Sequence, residues 1–115
     1  MPNEVIISDN FKRESKKLLK KYASLKSELI ELVEELKENP KLGAQVLENV
    51  YKIRLACKSK GKGKSGGMRI ITYLEEMEDD EIETLITLLS IYDKSDIDSI
   101  SDNQIKSIID SLDEE

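Results

Sequence analysis

The chain has no histidine and no tryptophan, and only one cysteine, one phenylalanine and two prolines in 115 residues. Each shortage removes a class of chemistry. Without histidine there is no serine–histidine or cysteine–histidine nucleophilic pair. With Cys57 as the single thiol, the usual zinc ligand sets cannot be assembled either. A lone cysteine forms no internal disulfide, which predicts a reducing, cytoplasmic setting. The longest strongly apolar stretch, Ile82 to Tyr92, is short and interrupted by threonine and serine, so no bilayer-spanning segment and no membrane partner is expected. The start, MPNEVIISDNF, has no basic residue ahead of its apolar ones and does not read as a signal peptide. Neither a metal nor another cofactor is implied.

What the sequence does contain is charge, at 37% of residues with a formal net value of -6. The charge is unevenly placed. Residues 1–40 hold eight basic and eight acidic side chains, whereas residues 41–74 hold eight basic ones against Glu48 alone. Residues 75–115 then carry fifteen acids against Lys94 and Lys106. Such asymmetry points to a local polyanion site more than the global value does. The acidic tail lowers the long-range attraction a nucleic acid would feel. The length suits a single domain over residues 1–115.

Hydrophobic periodicity outlines the elements. EVII at 4–7 reads as a short strand, and Ser8, Asp9 and Asn10 are good helix N-cap types. Phe11, Leu18, Leu19 and Tyr22 share one face of a first helix. After Ala23-Ser24, a second helix carries Leu25, Leu29, Leu32, Val33 and Leu36 and ends at Asn39-Pro40. Tyr51, Ile53 and Leu55 alternate with Lys52, Arg54 and Ala56, the period-2 pattern of a half-buried strand. MRIITYLEEM and IETLITLLSIY read as two more strands, the last apolar enough to be central. SDNQIKSIIDSL closes with an acidic amphipathic helix at about 101–112, with Ser101 and Gln104 placed as a capping box. The expected fold is α+β in the order β-α-α-β-β-β-α: a small antiparallel sheet with an N-terminal helical hairpin packed on it.

Three stretches invite a functional reading. GKGKS suggests a phosphate-binding Walker loop, but Lys58 stands where its first glycine belongs, and the segment leads into a strand instead of a helix. EEMEDDEIE is acidic but has no glycine-turn ligand loop, so a solvated turn is the better reading. The cationic stretch YKIRLACKSKGKGKSGGMRIITY remains, and two readings fit it. A lysine-rich loop is ordinarily solvated surface. Yet Lys52 and Arg54 lie within a strand, where β-propensity gives no reason for them. Arg69 opens the next strand, so antiparallel pairing brings it towards them. With Tyr73 alongside, these cations would form a preorganised oxyanion clamp, and Lys58, Lys60, Lys62 and Lys64 would hold RNA phosphates more loosely.

The element order, together with NPKLG, NVYKIRL, GKGKSGGMRIITY and LLSIYDKSDIDSIS, resembles the RelE/ParE toxin superfamily of toxin–antitoxin modules over roughly residues 4 to 112. YKIRL followed by a glycine-ended turn and RIITY is the most specific part. The resemblance is to RelE-like toxins, which implies a ribosome-dependent endoribonuclease that enters the ribosomal A site and cuts mRNA. It further implies a cognate antitoxin partner, and operator DNA contacted only through the antitoxin complex. By the same resemblance the catalytic positions fall on Lys52, Arg54, Arg69 and Lys94. Tyr92 is the nearest counterpart of the tyrosine or histidine that members carry near the end of the sheet. The implied reaction is attack by the mRNA 2′-OH on the adjacent phosphorus, without a metal. Two alternatives carry different expectations: a ParE-like gyrase inhibitor, and a non-toxic nucleic-acid- or protein-binding relative.

Overall fold

A computed structural model describes residues 3–61, 66–78 and 81–115; Lys62 and Lys64 lie outside the described residues. The architecture is α+β. A five-stranded sheet is built from β1 (Glu4–Ile7), β2 (Ala44–Leu47), β3 (Val50–Leu55), β4 (Met68–Glu76) and β5 (Thr84–Asp93). Helices α1 (Asp9–Lys21) and α2 (Leu25–Glu38) precede β2, and α3 (Asp102–Ser111) follows β5. The strand order is β1-β5-β4-β3-β2.

Two expectations are corrected. The sheet is mixed, because β1 pairs with β5 in parallel, Glu4 opposite Leu85 through Ile7 opposite Leu88. A hairpin turn enforces antiparallel pairing only on neighbouring segments. The long excursion through α1 and α2 frees β1 to join the last strand in the other sense. The second correction is an additional strand, β2, folded antiparallel onto β3 with Ala44 opposite Lys52. Its turn contains Asn49 at φ 63°, a left-handed conformation that asparagine tolerates better than most residues. Gly43, at φ 95°, leads into β2 so close to the Lys52 carbonyl that a Cβ would collide with it.

The helices start and stop where local chemistry dictates. Ser8 Oγ accepts the Phe11 N–H at 3.0 Å and caps α1. Ser101 and Gln104 form the reciprocal capping box of α3. Alternation along the strands then divides the apolar residues between two faces. On one face Phe11, Leu25, Leu32 and Leu36 of α1 and α2 pack against Ile53, Met68, Ile70, Leu74, Ile86, Leu88 and Ile91. On the other, Ile105 of α3 packs with Val50, Ile71, Leu89 and Tyr92. The expected helical layer is therefore present, and α3 forms a second layer across the sheet from it.

An irregularity in β5 decides which face Tyr92 reaches. Ile71 lies opposite Ser90 while Thr72 lies opposite Leu88, so Leu89 is an extra residue, a β-bulge. Ile86 and Leu88 face α1 and α2, and unbroken alternation would send Tyr92 to that side as well. The inserted residue reverses the parity and delivers Tyr92 to the α3 face. Glu14 of α1 fixes the bulge: its Oε1 accepts from Ser90 Oγ at 2.8 Å and from the Ile91 N–H at 3.3 Å. No helix among the described residues is long and apolar enough to cross a membrane.

Candidate nucleic-acid interface

Register places three side chains in one row across the central strands. Arg54 of β3 lies opposite Arg69 of β4, and Arg69 lies opposite Tyr92 of β5. All three project to the α3 face, as does Lys52, two residues before Arg54 (roughly 7 Å along the strand). Directly opposed side chains stand about 5 Å apart at Cβ, and like charges there are destabilising. Two arginines in register are therefore a local conflict with stability, of the kind that functional sites accept.

Exposure varies steeply along this row. Arg54 is exposed and Lys52 half-buried, but Arg69 is only 5% exposed and Tyr92 4%. Arg69 Nη1 donates to the Met68 carbonyl at 3.2 Å. Among the described residues the Tyr92 hydroxyl has no hydrogen-bond partner at normal geometry, although the Ile100 backbone N–H is near enough to act on it electrostatically. Burial pushes the Tyr92 phenol up, against the opposing pull of the Arg69 and Lys94 charges. It is therefore a neutral donor at physiological pH, surrounded by cations that would stabilise its anion.

Lys94 follows the strand directly, its N–H donating to the Gly67 carbonyl at 3.1 Å. Its ammonium group pairs with the Asp98 carboxylate and also donates to the Asp98 carbonyl at 2.8 Å. The Lys94 hydrogen bond and charge, with a contribution from Lys52, hold the Asp98 carboxyl below the usual carboxylate range. Lys52, Arg54, Arg69, Tyr92 and Lys94 are thus gathered at one end of one sheet face, with Asp98 among them.

Of the loop lysines, the two among the described residues, Lys58 and Lys60, do not join this group as expected. Lys60 is turned away from it, in a buried ion pair with Asp93 that Tyr22 OH completes at 2.9 Å and Ser95 N–H at 2.9 Å. Its ammonium also donates to Ser95 Oγ at 3.0 Å, and it is not a loose phosphate contact. The physical reason is the short 3₁₀ turn Lys58–Lys60, which docks on the start of α2. There Ser59 N–H donates to Ser24 Oγ at 2.9 Å and Ser24 N–H donates to Ser59 Oγ at 2.8 Å. Lys58 is exposed, but its N–H is bonded to Glu28 Oε2 of α2 at 2.9 Å, at the rim between the sheet edge and that helix. Tyr73 shares the α3 face but stands opposite Val50 and Thr87, four residues along β4 from Arg69. Burial raises its phenol, with Glu75, Asp113 and Glu48 adding to the effect, so it sits at an acidic end of the face.

Three residues that sequence reasoning does not single out shape the site: Glu14, which holds the bulge, Asp93 and Asp98. Only Asp98 carries a signal, an acid four residues after Lys94. Among the described residues no group of three or more histidine, cysteine or acidic side chains is placed to hold a metal ion. No protein-family model matches the chain.

Proposed function

We propose that the chain is a RelE-like toxin that cuts mRNA in the ribosomal A site, and that it works in the cytoplasm under control of a cognate antitoxin. The observation that carries this reading is the Arg54–Arg69–Tyr92 row with Lys52 and Lys94 beside it. The β-α-α then β-β-β-α order supports it, with β2 as an addition to that scheme.

In the reaction proposed, the 2′-OH of the mRNA loses its proton to solvent and its oxygen attacks the adjacent phosphorus. The bond from phosphorus to the 5′-oxygen of the next nucleotide breaks. Tyr92 gives its proton to that departing oxygen, and its phenolate, stabilised by Arg69 and Lys94, regains a proton from water. The products are a 2′,3′-cyclic phosphate and a 5′-hydroxyl. Arg54 and Arg69 stabilise the extra charge on the phosphorane, a role suited to the planar guanidinium fork. Lys52 holds the neighbouring phosphate. Operator DNA is met through the antitoxin complex.

Induced expression tests the reading. The wild-type chain is expected to arrest growth, and Arg54→Ala to relieve the arrest while the protein remains folded. A buried oxyanion donor is typically worth about 10²–10³ in rate. Arg54 is exposed and screened, so its loss is expected to slow cleavage about tenfold to a hundredfold. An equally toxic Arg54→Ala protein would remove Arg54 from the site.

A further inference from the structure

The face that collects the cations is only partly open, with Arg54 exposed but Arg69 and Tyr92 buried. Beyond β5 the chain turns sharply: the Ser95 N–H bonds to Asp93 Oδ1, and the Asp96 and Ile97 N–H groups to the Asp93 carbonyl at 3.0 Å each. The strap formed by residues 94–101 then passes over the end of the sheet and leads into α3. Ile100, Ile105, Ile108 and Ile109 seat that helix on the same face. Within the strap Asp98 is grasped twice by Lys94, through its carboxylate and its carbonyl. Residues 93–115 carry eight acids against two lysines, so the covering segment is opposite in charge to what it covers.

From this arrangement we infer that the strap is an autoinhibitory cover in which the Asp98 carboxylate occupies the place of a substrate phosphate on Lys94. The inference rests on the reading of this face as a phosphodiester site. Asp98 and Lys94 form an exposed pair, and such pairs are weak and easily exchanged. A phosphodiester brings a full negative charge and several acceptor oxygens, and it displaces the carboxylate. Displacement frees the Lys94 ammonium for the incoming phosphate. The Asp98 charge acts on both Lys52 and Tyr92, so its departure also leaves those groups to the incoming phosphate. The cover therefore disfavours weak or isolated anions and yields to a polyanion that engages several cations together.

The test is binding of a single-stranded RNA octamer to the whole protein, followed by fluorescence anisotropy over a range of salt. Asp98→Asn is expected to tighten binding about two- to fivefold, the range an exposed ion pair supplies. It should also steepen the dependence of log K on log salt by about 0.7, one further cation being free to meet a single strand. Asp110→Asn on α3 changes the net charge equally and is expected to alter neither quantity. If the wild-type chain binds the octamer and Asp98→Asn binds it no better, the cover is disproved while the phosphate site stands. Should neither protein bind, the site reading fails and the cover falls with it.

Discussion

Tyr92→Phe is expected to leave a stable protein that binds RNA normally and cleaves it very slowly. General acid catalysis typically contributes about 10²–10⁴ in rate, and that is the loss expected in a purified cleavage assay. Stability should not suffer. The hydroxyl removed is buried and, among the described residues, meets no partner at normal hydrogen-bond geometry, and deleting an unsatisfied polar group is neutral or favourable. The ring that packs with Ile71, Leu89 and Ile105 is retained. Rate and stability are thereby separated, which a substitution of the buried Arg69 would not achieve. A Tyr92→Phe protein that cleaves at the wild-type rate would exclude Tyr92 as the proton donor.

The second large effect concerns the pair that anchors the loop. Asp93→Asn is expected to destabilise the fold by about 3 kcal/mol, because it leaves Lys60 buried without its counter-charge. For a chain of this size that amounts to a fall of roughly 10 °C or more in Tm. Replacing both partners, as in Lys60→Met with Asp93→Asn, should recover much of the loss. The pair also sets an acid limit. Burial alone would raise the Asp93 carboxyl. The hydrogen bonds from Lys60, the Ser95 N–H and Tyr22, together with the Lys60 charge, outweigh it and bring the value from 3.8 down to about 2. A carboxyl lowered by folding stabilises the native state above its unfolded value, and the contribution disappears as pH falls through the folded one. Stability should thus drop between about pH 4 and pH 2, by on the order of 2 kcal/mol from this group. Thermal unfolding followed by circular dichroism across that interval measures the slope, and Asp93→Asn should flatten it. An unchanged slope would mean that Asp93 is not held as described.

Tyr92 and Asp93 mark the boundary between what the sequence makes legible and what it does not. Local signals are readable: the serine caps at Ser8 and Ser101, the break at Ala23-Ser24, and the alternation that puts Lys52 and Arg54 on one face. Antiparallel pairing then follows for β3 with β4, and with it the meeting of Arg54 and Arg69. Non-local features leave no such trace. β2 is only four residues long, and its turn has no glycine, so neither pattern nor turn chemistry announces it. The parallel β1–β5 pairing joins segments some eighty residues apart, and no periodicity encodes it. Lys60 looks like its neighbours in the loop because the partners that bury it, Asp93 and Tyr22, come from distant elements. The bulge at Leu89 is equally silent, although it sets the side of the sheet on which Tyr92 lies. Asp98 is the exception: an acid four residues after Lys94 is a local signal, although by composition it reads as part of an acidic tail.

Two arginines and a tyrosine, brought into register across three strands, either form a phosphodiester-cleaving site or they do not. The most direct measurement is to induce the chain in growing cells and map the 5′ ends of their mRNA, with end chemistry resolved. The expected result is new 5′-hydroxyl ends within translated regions, absent when Tyr92→Phe is induced. Growth arrest with intact mRNA, or no arrest from a well-folded and abundant chain, would contradict it.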